Sequence, residues 1–190
     1  SKGLIPIEGL DTLKIALIKI GNENNDQLES LILRYAPSEV FQLTYANLEA
    51  DFQRYNEHAD EFNLALIIAE PSLEKIERKR FEMSEHCQSI IDRVSAGKTT
   101  ALVWNGNAKA LRFLSTDINL NAAIIGHNSN DYSDDLSIQA LFGGRPIKGE
   151  LNRNIDDIFT SEGVSQTNKI RLAYGIPEEV GISSFDLKKI

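Results

Sequence analysis

Short apolar runs alternate along this chain with longer segments whose apolar residues recur every three or four positions. Thr12 to Ile20 (TLKIALIKI) is short and rich in β-branched residues, and reads as a strand. Gly21 to Asn25 is a turn, with Asn25 placed to cap a helix. That helix, Asp26 to Tyr35, sets Leu28, Leu31, Ile32 and Tyr35 on one face, and Pro37-Ser38 ends it. Glu39 to Tyr45 alternates Val40, Phe41, Leu43 and Tyr45 with polar residues, which suits a strand near a sheet edge. Asn47 to Phe62 is a polar helix carrying Leu48, Phe52, Tyr55 and Ala59 at helical spacing. Leu64 to Ala69 (LALIIA) is continuously apolar, as in a strand buried on both faces. Pro71 to Arg80 is a charged loop. Phe81 to Val94 is a helix with Met83, Cys87, Ile90, Ile91 and Val94 inward, closed by Gly97.

The stretch from Thr99 to Gly144 organises the rest. A short apolar run ends at Val103-Trp104, Asn105-Gly106-Asn107 breaks it, and Ala108 to Leu114 restarts with helix formers. Ala122 to Gly126 is a second run. Asn128 to Ser133 is a polar turn, and Asp134 to Phe142 a helix that Gly143-Gly144 stops. The pattern predicts an α/β fold: a three-layer α/β/α sandwich around a mostly parallel sheet of five or six strands, without internal repeats. Ligands of such sheets bind outside the carboxyl ends of the strands. Here those ends include Trp104 to Asn107 and Gly126 to Asn130.

Residues 1–11 read as a lead-in broken by Gly3, Pro6 and Gly9, and 12–160 as the sandwich. Arg145 to Gly163 is irregular, with room for at most one short strand or turn. Residues 161–190 read as a linker or strap toward a following domain, because Ser161 to Asn168 (SEGVSQTN) is small and polar. The first residue is Ser rather than Met, which suggests a piece of a longer protein, and SKGLIPIEG lacks the pattern of a signal peptide.

Composition narrows the partners. The 190 residues carry 20 Lys and Arg against 28 Asp and Glu, a formal charge of −8. That balance argues against nucleic acid or an anionic membrane surface as a partner. No apolar run approaches the roughly 20 residues of a membrane span. The single cysteine, Cys87, excludes an internal disulfide and reads as a packing residue.

Several local patterns imitate chemistry. Ala96-Gly97-Lys98-Thr99-Thr100 looks like the end of a phosphate-binding loop. However, position 92 is Asp rather than the required Gly, and the segment follows a helix instead of a strand. Ser95 and Lys98 have the spacing of a serine–lysine acyl-enzyme pair, but Gly97 ends the helix that would hold both on one face. His58, His86 and His127 are not spaced as metal ligands, and no metal or other cofactor is called for. His58 and His86 read as surface residues. His127 follows the fifth strand, on the ligand side of the sheet. Acid pairs occur at Asp134-Asp135, Asp156-Asp157 and Glu178-Glu179; helix N-termini favour acids, which accounts for the first. Glu70 ends the most buried strand and is the best single candidate for a catalytic acid. Glycoside hydrolysis needs two carboxylates across a sugar, and no second one is placed opposite Glu70 or His127.

With the strands laid out, the chain resembles the C-terminal α/β sandwich domain of glycoside hydrolase family 3. The matching pieces are LIPIEGLDTLKIALIKIG, TTALVWNGNAKALRFL and AAIIGHNSNDYSDDLSIQALFGGRPIKGEL. The tail RLAYGIPEEVGISSFDLKKI looks like the joint in bacterial members of the β-N-acetylhexosaminidase type, where a serine-hydrolase domain of the β-lactamase kind follows. The resemblance spans most of the chain and rests on the order of the pieces more than on any one motif.

The resemblance implies that the nucleophilic Asp, and in the hexosaminidase type a His–Asp acid/base pair, lie on a preceding (β/α)8 barrel outside this chain. In the glucosidase type the sandwich donates a Glu after the third strand, in a Glu-x-x-Asp-Arg-like setting. Here AEPSLEKIERKRFEM places Glu70 near it without the Asp-Arg. Asn152 follows Leu151 where the family's Gly-x-Leu loop commonly has Pro.

The implied role is a noncatalytic support for the barrel, inactive by itself. Trp104, Asn105, Asn107, His127, Asn128 and Tyr132 would border the sugar, a β-N-acetylhexosaminide in the implied parent. The implied setting is a bacterial periplasm or envelope. The competing expectation is a stand-alone small-molecule-binding module of flavodoxin-like or periplasmic-binding type.

Overall fold

The computed structural model describes residues 4–21, 26–72, 78–127, 131–161 and 163. Its strands are β1 (Ile15–Ile20), β2 (Ser38–Leu43), β3 (Leu64–Ala69), β4 (Thr100–Trp104) and β5 (Leu120–Ile125). The helices are α1 (Asp26–Leu33), α2 (Leu48–His58), α3 (Glu85–Gly97) and α4 (Asp131–Leu141). All strand pairs are parallel, and the order across the sheet is β2-β1-β3-β4-β5. The fold is therefore an α/β sandwich built on a five-stranded parallel sheet. β2 lies at an edge, as its alternation implies, and its exposed Glu39 guards that edge. β3 sits in the centre with all six residues buried, as its continuous apolar run requires.

The side chains of successive strand residues divide between two cores. Ala16, Ile18, Ile20, Ile67, Ala69, Leu102 and Trp104 pack with α2 and α3. Ile15, Leu17, Leu66, Ile68, Ala101 and Val103 pack with α1 and α4. Tyr35, just past α1, stacks on Phe142, just past α4, with ring centroids 4.4 Å apart. Arg93 of α3 pairs with Glu49 of α2 at 2.8 Å and lies over Phe52. The lead-in packs as part of the second core: Ile7 is 1% exposed and its N–H bonds Leu141 O. Isolated glycines and a proline in that segment concealed this role from the sequence pattern.

The structure corrects several predicted boundaries. β1 starts at Ile15, three residues after the apolar run begins, and α1 ends at Leu33. The helix expected from Phe81 starts at Glu85. Phe81 and Glu82 hold left-handed φ values of 52° and 72°, and Ser84 caps the helix by accepting from Cys87 N at 3.1 Å. Gly97 is its last helical residue, and the next residue, Lys98, is extended, so no left-handed glycine cap forms. The segment expected to continue α2 becomes a 3-10 turn at Ala59–Glu61, and the helix after β4 is a 3-10 turn at Ala108–Phe113. α4 begins at Asp131, inside the expected polar turn. It ends as expected: Gly143 has φ 76°, and Gly144 N bonds Gln139 O. After it the described chain contributes a small bridge between Ile155 and Phe159, with Ile155 buried. The predicted cap Asn25, Asn128, and the tail after 163 lie outside the described residues.

Candidate functional site

The strand order reverses between β1 and β3: β2 lies outside β1, whereas β4 and β5 follow β3 in sequence. In parallel sheets, this switch point at the carboxyl ends is where a crevice opens. Glu70 follows β3 there. Its N–H bonds Ile20 O, and Asn105 N bonds Ala69 O, so the ladder continues one residue past each strand. The period-two alternation turns Lys19 and Gln42, in register on β1 and β2, toward the α1/α4 face together with Glu70 and Asn105. Asp134 of α4 meets them, accepting a hydrogen bond from Asn105 Nδ2.

These side chains form one row across four strands, and most of it is sealed. Lys19 is 3% exposed, Glu70 7%, Asn105 1% and Asp134 2%. Lys19 Nζ approaches Glu70 Oε1 at 3.8 Å, an ion pair beyond hydrogen-bond reach. Gly21 leaves room for the Glu70 carboxylate: a Cβ at that position would sit 2.7 Å from Glu70 Oε2 and displace it. Gln42 Nε2 donates to Gly21 O at 2.8 Å, while its own Oε1 and Asn105 Oδ1 are buried without a partner.

The other face of the same rim is apolar. Trp104 is fully buried, and its Nε1 donates to Asn107 O at 2.9 Å. Gly106 lies against the indole, where a Cβ would come within 2.7 Å of Cζ2. Asn107 Oδ1 accepts from Lys109 N at 3.0 Å and so starts the 3-10 turn. Tyr45 donates to the backbone O of Glu70. Burial holds the Tyr45 phenol protonated well above its ordinary range, with Cys87 beside it adding to the shift. Burial likewise pushes the Cys87 thiol up to about 12, which leaves it an unreactive packing group.

The predicted sugar border is thus only partly a surface. Trp104 and Asn105 are withdrawn into the interior, where the indole fills the apolar core and the Asn105 amide is held by Asp134. Asn107 is exposed but serves as a cap. His127 is exposed with φ 63°, and Tyr132 is 67% exposed in the first turn of α4. The burial of Asp134 against Asn105 also corrects its assignment to helix-terminus preference alone. Lys19 and Gln42 were missed; Lys19 carries a signal as the one polar residue ending the apolar register Ile15, Leu17, whereas Gln42 shares its register with Ser38 and Val40 and carries none.

The false motifs resolve as packing. Ser95 is buried and donates to Ile91 O, whereas Lys98 Nζ donates to Phe62 O at 2.9 Å. The two therefore do not form a nucleophile and base. His58 bonds Glu61 at the surface, which raises its pKa, and His86 is exposed. Among the described residues there is no metal-binding group of three or more His, Cys, Asp or Glu, and no helix is long and apolar enough to cross a membrane. No family model matches the chain, and no curated protein matches it.

Proposed function

We propose that this chain is the noncatalytic C-terminal sandwich domain of a family 3 glycoside hydrolase, a support against which a preceding (β/α)8 barrel packs. The observation that carries the reading is the engagement of Glu70. A glycosidic acid must reach the leaving oxygen and face a second carboxylate across the sugar. Glu70 instead lies in a buried row, paired with Lys19 and pressed on Gly21. A catalytic loop on a neighbouring barrel needs a rigid neighbour to keep its geometry, and a five-stranded sheet whose β1, β3 and β4 are buried on both faces supplies one.

In this reading the parent hydrolyses β-linked N-acetylhexosaminides in a bacterial envelope. A serine-hydrolase domain follows this one, and Asn107, His127 and Tyr132, the exposed ones among the described border residues, border the sugar. The test compares this chain with the longer natural protein on a chromogenic β-N-acetylglucosaminide. Turnover by the longer protein alone is the expected result; turnover by this chain, abolished by Glu70→Gln, overturns it. A second reading, a free-standing small-molecule-binding module, draws support from the β1/β3 switch point. It expects a small molecule to co-purify with the chain.

A further inference from the structure

The two edges of the sheet are defended unequally. β2 presents exposed Glu39, whereas the run Ile118 to Gly126 (INLNAAIIG), which contains the whole of β5, has no charge and no proline. Register fixes which backbone groups of β5 are spare. Trp104 pairs with Ile125, and Gly126 N bonds Trp104 O, so Ile124 and Gly126 turn their backbone polar groups toward β4. Ala123 and Ile125 turn theirs outward. The lead-in reaches this edge only at its start, where Leu4 N bonds Asn121 O at 3.4 Å. Among the described residues none bonds the outward groups of Ala123 or Ile125, and the side chains from Ala122 to Ile125 are half-buried.

We infer that β5 pairs antiparallel with β5 of a second copy of this chain, joining two five-stranded sheets into one. Spare N–H and C=O groups in line along an edge call for an extended strand as their partner. Charge selects which strand. At a formal charge of −8 two copies repel over most of their surface, but this run brings no charge opposite its twin. Symmetry fixes the register. A two-fold axis through Ile124 sets Ala123 opposite the partner's Ile125 and Ile125 opposite the partner's Ala123. Each of these pairs exchanges both N–H···O bonds, and Ile124 packs on its own twin. The lead-in contact at Asn121 lies outside that register. Two like edges consume each other, and Glu39 guards the remaining one, so the contact closes at a dimer instead of growing into a fibre. This contact needs no barrel and involves none of the strand-end polar row.

The test is sedimentation equilibrium of the full chain over a wide concentration range, with amide hydrogen exchange read at the same concentrations. A monomer–dimer equilibrium is expected. Exchange at Ala123 and Ile125 slows as the dimer forms, while Ile124, already bonded to β4, does not respond. Ala123→Pro removes an outward donor and leaves the β4 ladder intact. It is expected to raise the dissociation constant at least about tenfold, because each copy loses a cross-strand bond. Ile124→Lys sets like charges face to face on the axis and is expected to act in the same direction, which keeps the test open should the proline variant fold poorly. A monomer at every concentration overturns the inference, and slow exchange at Ala123 and Ile125 in that monomer would assign the edge to another segment of this chain. A dimer of undiminished affinity in the folded variants also overturns it.

Discussion

On the α2/α3 side of the sheet the strands finish in Ile20, Leu43, Ala69 and Trp104, all fully buried and apolar. One residue away, on the α1/α4 side, the same strand ends present Lys19, Gln42, Glu70 and Asn105. Both faces exclude water from most of their atoms, but they do so by different means. The apolar face is closed by shape, with an indole lying against a glycine. The polar face is closed around charges that are not fully hydrogen-bonded. The first arrangement specifies a rigid rim. The second leaves Gln42 Oε1 and Asn105 Oδ1 buried without a donor.

Substitutions on each face distinguish these roles. Trp104→Ala removes the largest fully buried side chain and is expected to cost about 4 kcal/mol in urea denaturation, by lost burial plus cavity formation. A cost below about 1 kcal/mol would mean that the apolar rim is not the structural half. Lys19→Met leaves Glu70 buried without a cation and is expected to cost about 3 kcal/mol. The double variant Lys19→Met/Glu70→Leu is expected to recover most of that loss, because two charges leave the interior together. Strictly additive losses would contradict the coupling between them. Gly21→Ala places a methyl group against the Glu70 carboxylate and is expected to cost about 2 kcal/mol.

The smallest effect is a pH slope from the apolar face. Burial raises the Cys87 thiol from an ordinary 9.0 to about 12 in the folded chain. Its contribution to stability is therefore complete below pH 9 and is lost as pH rises toward 12, because only the unfolded chain releases the proton in that window. Cys87→Ala is expected to flatten the stability profile there, and an unchanged slope would show that the thiol is not the source.

The apolar face was far more legible in the sequence than the polar one. The continuous run Leu64 to Ala69 and the helical spacing of Cys87, Ile90, Ile91 and Val94 declare burial directly, and each is buried. The helix expected from Phe81 starts late because the periodicity runs through two left-handed residues that no local signal marks. At the rim, Glu70 stands out by its position after β3. Its partner Lys19 was hidden inside a strand run, where one lysine among apolar residues is normally read as an exposed position. The link from Asn105 to Asp134 crosses 29 residues and exists only after folding. Trp104 misled for the opposite reason: an aromatic residue at a strand end suits a sugar platform and a core plug equally well until Gly106 is seen against its ring.

If the proposed hydrolase reading holds and the strand-end acid belongs to the buried row, its removal must leave the chemistry of the proposed parent intact. The most direct test is kcat/KM for a chromogenic β-N-acetylglucosaminide in the proposed longer hydrolase carrying Glu70→Gln. The expected value lies within about twofold of the unsubstituted protein, because the usual contribution of a positioned general acid is far larger. A loss of about 10² to 10⁴, the size of that contribution, would contradict the assignment and return Glu70 to the chemistry.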